Sequence, residues 1–251
     1  VLQLHEIFEH VPWWRIAIYL FVGTFVIGNI STALRRKLGW QDGYSRKLNH
    51  IGLMMLSGPL LAVLPDSQLL PAVVIATTAM VLIYAVAAYS ERPLLYGIVS
   101  GSLRQRDAPR SRLFFFLPLI TCNVALAVAA FTFPLDLVKI AFFTVAVADG
   151  LAEPVGLRFG HGNSYQIKDP IWGTLNKKSV AGSTAVLLLG FAVALAMLIL
   201  TRGFSMHVLC ISAIYAVVAT FIEAISPRGL DNMLIVLIGP LVLAGLITAL
   251  A

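Results

Sequence analysis

Charge is scarce in this chain. Asp, Glu, Lys and Arg make up 12% of its 251 residues, while 59% are hydrophobic. A soluble domain carries about 25% charged residues, so this shortage, with a mean hydropathy of +0.89, points to a polytopic membrane protein. Cysteine is nearly absent too. Cys122 lies inside one apolar run and Cys210 near the start of another, so neither a disulfide framework nor a thiolate metal site is expected. Long polar linkers, internal repeats and low-complexity segments are missing, which leaves no room for a separate soluble domain, and residues 1–251 read as a single integral-membrane domain. No basic run precedes the first apolar stretch and no small-residue cleavage site comes after it, so that stretch is expected to be a span rather than a signal peptide. The usual phosphate loops are also lacking: Gly156, Gly160 and Gly162 match neither the dinucleotide fingerprint nor the Walker A loop.

What the chain has is apolar runs of membrane-crossing length. Spans are predicted at 13–34, 48–64, 69–89, 113–133, 135–152, 180–201, 206–222 and 233–250, each near the about 20 residues that cross the hydrocarbon core. The expected fold is all-α, a polytopic transmembrane helical bundle of about eight spans. Fifteen of the 18 Lys and Arg fall in alternate loops. They are Arg35, Arg36, Lys37, Arg46 and Lys47; Arg92, Arg104, Arg106, Arg110 and Arg112; Arg158, Lys168, Lys177 and Lys178; and Arg228. Arg15, Lys139 and Arg202 lie on the other side. The positive-inside rule puts the basic loops in the cytoplasm or its topological equivalent and both termini on the non-cytoplasmic side. Topology and anionic headgroups account for the net charge of +6 without a nucleic-acid partner. Pro59, Pro118 and Pro240 lie inside spans, where neighbouring helices relieve a kink. Arg35, Arg36 and Lys37 read as topology determinants, Glu91 as solvated or paired with Arg92, Lys139 as snorkelling outward, and Asn29 and Asn123 as interhelical hydrogen-bonding residues.

The remaining ionisable residues gather where the spans end. Inward-running spans finish with Glu91, with Ala152-Glu153-Pro154, and with Phe221-Ile222-Glu223. A carboxylate at a helix C-terminus is disfavoured by about 0.3–1 kcal/mol, and a bound cation reverses that sign. Asp149 lies about a turn inside its apolar span, where an ionised group is costly and calls for a functional reason. It shares a helix face with Glu153 at i, i+4. Asp231-Asn232 adds two oxygen donors before the last span. Such donors suit Mg²⁺, which takes one or two carboxylates plus substrate phosphates. Outward-running spans open with Arg46-Lys47-Leu48-Asn49-His50 and with Lys177-Lys178-Ser179-Val180-Ala181-Gly182-Ser183. Cations at a helix N-terminus call for an anion between them, and Gly182 would let a phosphate approach the backbone. His50 alone reads equally as an interfacial histidine. A metal–nucleotide complex needs both kinds of site.

Three blocks together resemble the CTP-dependent polyprenol kinase family, which includes dolichol, phytol and farnesol kinases and the fungal diacylglycerol kinase. The first is Arg46-Lys47-Leu48-Asn49-His50. The second runs from Asp149-Gly150-Leu151-Ala152-Glu153-Pro154 through Arg158 to Lys177-Lys178-Ser179-Val180-Ala181-Gly182-Ser183. The third is Glu223-Ala224-Ile225-Ser226-Pro227-Arg228-Gly229-Leu230-Asp231-Asn232. The second block is also similar to the core of CDP-diacylglycerol synthases. Those relatives end in a His-Gly-Gly and Asp-Arg type signature, where this chain has Ser226-Pro227-Arg228-Gly229-Leu230-Asp231-Asn232.

The resemblance implies transfer of the γ-phosphate of CTP to the hydroxyl of an isoprenoid alcohol such as phytol, geranylgeraniol, farnesol or a polyprenol. The alternatives it leaves are diacylglycerol phosphorylation and phosphatidate cytidylyl transfer. Asp149 and Asp231 are then the first metal ligands, with Glu153, Glu223 and Asn232 supporting. Lys177, Lys178, Ser179, Gly182 and Ser183 cradle phosphate, with Arg46, Lys47 and Arg158 as further charges. His50 or Glu153 takes the hydroxyl proton. The cofactor is Mg²⁺, and the partners are the nucleotide, the lipid alcohol and the surrounding membrane lipids. A transporter would place its polar residues near the midplane, often within inverted repeats, and a structural scaffold leaves Asp149 without a reason.

Overall fold

The computed structural model describes residues 13–63 and 66–250. The first twelve residues, residue 64 at the end of the second predicted span, and residue 251 lie outside the described residues. The sequence predicts one domain; the chain divides into two compact units, residues 1–105 and 106–251.

The first unit comprises α1 (Trp13–Leu38), α2 (Asp42–Val63), α3 (Asp66–Ala88) and the short α4 (Pro93–Ser100). Pro93 opens α4, where its fixed φ suits the first helical position and its missing N–H costs nothing. Small residues set how closely these helices meet. A Cβ added at Gly28 of α1 would lie 2.4 Å from the Ile98 carbonyl of α4. One added at Gly52 of α2 would lie 2.7 Å from Ile27 of α1. Asn29 bridges helices as expected, its amide donating to the Leu94 carbonyl at 3.1 Å.

The second unit comprises α5 (Ser111–Thr132), α6 (Leu135–Phe143), a π turn (Thr144–Asp149), α7 (Gly150–Phe159), a two-stranded antiparallel hairpin of β1 (Ser164–Lys168) and β2 (Leu175–Ser179), and then α8 (Val180–Arg202), α9 (Met206–Ile225) and α10 (Asp231–Leu250). Its core joins Leu137 and Ile140 of α6, Ala194 and Leu198 of α8, Val208, Ile211 and Tyr215 of α9, and Leu243 of α10. Apolar side chains also cover the outside. Val128 and Phe131 of α5, Leu188 and Leu200 of α8, and Val217 and Phe221 of α9 are all exposed, the arrangement of a bundle whose solvent is lipid.

Six helical stretches among the described residues are long and apolar enough to cross a membrane: Trp14–Leu38, Pro71–Ala88, Ser111–Thr132, Val180–Arg202, Met206–Ile225 and Asp231–Leu250. The second and fifth predicted spans are also helical, the second with a polar start and the fifth interrupted by the π turn. That fifth element does not stop at Glu153. It runs through Pro154 to Phe159, so Glu153 lies in the first turn of α7 rather than at a helix C-terminus. Pro154 lies inside α7, where its ring removes one backbone N–H from the helical ladder. The hairpin is the one departure from an all-helical chain among the described residues, and it lies in the loop where the sequence predicts no element.

Candidate functional site

A π turn delivers Asp149. The Gly150 N–H donates to the Val145 carbonyl five residues back, and each residue of such widening rotates the remainder of the helix by about 100° relative to an α-helix. Thr144, at the start of the turn, is held by the Tyr215 hydroxyl of α9, which donates to its Oγ1 at 3.0 Å. Asp149 emerges at the far end, 3% exposed.

Two more carboxylates meet it. Glu223, 8% exposed, belongs to the last turn of α9, and Asp231 is the first residue of α10, where a negative charge suits the helix dipole. Between them the 226–230 loop reverses the chain through Gly229 at φ +84°. One oxygen from each of Asp149, Glu223 and Asp231 lies within 4.8 Å of the others. Three ionised carboxylates at such spacing repel by about 3–4 kcal/mol per pair at an effective dielectric of about 20.

Lys178 offsets part of that repulsion. Strand alternation turns Lys178 inward and Lys177 outward. The Lys178 ammonium donates to Glu223 Oε1 at 2.6 Å and also to the Glu223 carbonyl. Burial pulls the Lys178 ammonium down, but Glu223, Asp231 and Asp149 outweigh it and hold its proton above the ordinary lysine range. Carboxylates gathered this closely are relieved by a counter-charge, by a proton or by a bound cation. Asn232 stands beside Asp231, 7% exposed, and its Oδ1 accepts no hydrogen bond among the described residues. A set of hard oxygen donors with one buried carbonyl left over fits Mg²⁺ in donor chemistry.

Other predicted site residues are used differently. Glu153 is not part of the converging set; its carboxylate meets Arg106 at 3.3 Å, because the first turn of α7 points it toward that arginine. Ser179 caps α8, its Oγ accepting the Gly182 N–H at 3.0 Å. Asn163 accepts the Val180 N–H at 2.9 Å with its carbonyl and the Ala181 N–H at 3.5 Å with its side chain. The N–H groups expected to cradle a phosphate are therefore already taken by the chain. Gly182 is not open for an anion either, since a Cβ there would sit 2.9 Å from the Ala152 carbonyl. Its smallness brings α7 and α8 together. The Ser183 hydroxyl lies 2.7 Å from the Tyr165 hydroxyl of β1. Lys177 and Arg158 are exposed. Arg46, Lys47 and His50 belong to α2 of the first unit, where Lys47 is 3% exposed.

Some residues that shape this end of the second unit escaped the sequence. Asp107 is buried and ion-paired with Arg228. Asp169 closes the hairpin turn, accepting the N–H groups of Ile171 and Trp172 at 2.9 Å each. Asp169-Pro170 with Gly173 downstream is a turn signal that would have placed it. No protein-family model, curated protein or solved structure matches this chain.

Proposed function

We propose that the protein is a membrane lipid-alcohol kinase that transfers the γ-phosphate of CTP to an isoprenoid alcohol. The observation that carries the reading is the convergence of Asp149, Glu223 and Asp231 within 4.8 Å beside Lys178. Asp149, Glu223 and Asp231 would hold a divalent ion, with the free Asn232 oxygen next to them. Bound there, Mg²⁺ would neutralise charge on the terminal phosphates, which is most of what phosphoryl transfer asks of a protein. Lys177 and Arg158, exposed on the hairpin and α7, supply the cations that meet the incoming triphosphate in place of the occupied α8 N-terminus. The choice of CTP and of a lipid alcohol rests on the resemblance of the three sequence blocks.

In the reaction the alcohol oxygen bonds to the γ-phosphorus, the bridging bond to the β-phosphate breaks, CDP leaves, and the hydroxyl proton passes to a base. Glu153 is the proposed acceptor. Glu153 is held by an arginine whose side chain is 60% exposed, a contact that water competes for easily. Within this reading the chain crosses the bilayer eight times with both termini on the non-cytoplasmic side. The lipid enters sideways, its tail among the apolar helices and its hydroxyl at headgroup depth.

The test uses purified protein in detergent with Mg²⁺ and CTP labelled at either the α- or the γ-phosphate. Phytol, geranylgeraniol, a longer polyprenol, diacylglycerol and phosphatidate serve as acceptors. Label from the γ-position on an isoprenoid alcohol is the expected result. Label from the γ-position on diacylglycerol alone moves the substrate, and label from the α-position on phosphatidate replaces the kinase with a cytidylyltransferase.

A further inference from the structure

The same end of the second unit contains a carboxylate that the proposed chemistry does not use. Asp169 is 1% exposed and accepts four hydrogen bonds. Its Oδ1 takes the Ile171 and Trp172 N–H groups. Its Oδ2 takes the Asn176 amide at 2.8 Å and the backbone N–H of Arg228 at 2.7 Å. The first three close the hairpin turn on itself, as Asp does in an Asx turn. The fourth leaves the hairpin and reaches the 226–230 loop between α9 and α10. Trp172 completes that link, its indole N–H donating to the Arg228 carbonyl at 3.2 Å. Both main-chain polar groups of Arg228 are thus held by the hairpin. Its guanidinium pairs with Asp107 and lies 4.7 Å over the ring of Phe114, which itself packs edge-on against Trp172 at 5.2 Å.

Arg228 stands between Glu223 and Asp231 in the chain, so whatever fixes its backbone fixes how those two carboxylates are spaced. We infer that Asp169 is a positioning residue, holding the 226–230 loop so that Glu223 and Asp231 present oxygens at a separation that binds a divalent cation. The inference rests on the reading of Asp149, Glu223 and Asp231 as a metal site. Mg²⁺ tolerates little deviation from octahedral geometry, so a loop freed to drift weakens binding even with all three ligands present. Asp169 touches neither metal nor substrate in this role.

The experiment measures Mn²⁺ binding to the full chain in detergent by electron paramagnetic resonance, without nucleotide. Asp169→Asn keeps an acceptor for the turn but points an amide NH₂ at the Arg228 N–H. It is expected to weaken Mn²⁺ binding about tenfold, the scale of lost outer-shell support. Asn176→Ala removes one bond to the same Oδ2 but leaves Arg228 held, and affinity within about twofold of the parent is expected. A merely structural hairpin would lose affinity equally in both variants, and that result overturns the inference, as does unchanged affinity in Asp169→Asn. If Asp169→Asn does not fold, Trp172→Phe probes the same link from the Arg228 carbonyl. About threefold weaker binding is expected there, and unchanged binding overturns the inference. A parent protein that binds no Mn²⁺ removes the metal reading itself, an outcome seen before any variant is compared.

Discussion

Both units gather polar side chains at helix ends, and they settle them in opposite ways. In the first unit, Arg35 meets Asp42 at 2.7 Å and donates to the Ser100 carbonyl at 3.0 Å and to that of Leu103. Ser45 donates to the Gly101 carbonyl, Ser31 to the Ser45 carbonyl, and Thr32 to the Gly97 carbonyl, each at 2.6 Å. Here Arg35 faces Asp42, and hydroxyls serve carbonyls of α2 and of the α4 end. In the second unit, three carboxylates converge, and Lys178 pairs with Glu223. The first arrangement closes a fold. The second brings oxygens of three carboxylates together at one point, the feature on which the proposed metal site rests.

The comparison is broken most sharply at Asp149. On the proposed function, Asp149→Asn is expected to cut phosphoryl transfer by roughly a thousandfold, since it would remove a ligand from an ion that would stabilise charge in the reaction. The same change lowers like-charge repulsion, so the melting temperature in detergent is expected to hold or rise. A variant that keeps activity ends the assignment of Asp149 as a ligand. One that loses activity together with its fold would put Asp149 in the same structural class as Arg35.

Arg35 supplies the opposite arm. Arg35→Met strips the α4 end of two donors and leaves Asp42 with the Gln105 N–H at 2.8 Å. The expected loss is about 2 kcal/mol of stability, the scale of a charged hydrogen bond removed from a partly buried site, read by denaturant titration in detergent. Mn²⁺ affinity is expected to stay at the parent value. A parallel loss of affinity would show that the two polar clusters are not independent.

Much of this was legible in the sequence. The helical, membrane-crossing character of the chain was, with six apolar helices of sufficient length among the described residues, because apolar length is a signal that tertiary packing cannot reverse. Asp149, Glu223 and Asp231, singled out there, do converge, and they stood out because an ionised group at an apolar helix end is expensive wherever it packs. Three things were not. Asp149 and Glu153 share a helix face, which suggested a joint role, but only the partner across the fold decides that Glu153 goes to Arg106. Small residues at Gly156, Gly160 and Gly182 look the same whether they admit a phosphate or another helix. The nearest atoms, Ser179 Oγ at 2.7 Å from a Cβ at Gly156 and the Ala152 carbonyl at 2.9 Å from one at Gly182, make them helix contacts. Arg35 counted as a topology charge because, besides nearby Asp42, the carbonyls it serves lie 65 and 68 residues away, a distance in sequence that local pattern does not span. The hairpin was hidden for a related reason: its strands are five residues each, and only Tyr165, Ile167 and Leu175 among them offer an apolar or aromatic signal.

The smallest effect expected concerns the hairpin in acid, and it tests whether Asp169 acts as a charge. Burial pushes its carboxyl up, but the hydrogen bonds from Trp172, Arg228, Asn176 and Ile171 outweigh this and hold it below the ordinary carboxylate range. A carboxyl with a depressed folded value stabilises the fold in full above the value it has when unfolded, about 3.9. That stabilisation then fades as pH falls through the folded value. The parent and Asp169→Asn are therefore expected to differ in melting temperature by a constant amount from pH 7 to about pH 5. Below about pH 4 the two curves draw together, because the parent is protonated toward the state the amide imitates. A gap that persists unchanged to the lowest pH at which the protein stays folded would mean that Asp169 holds Arg228 by shape rather than by charge.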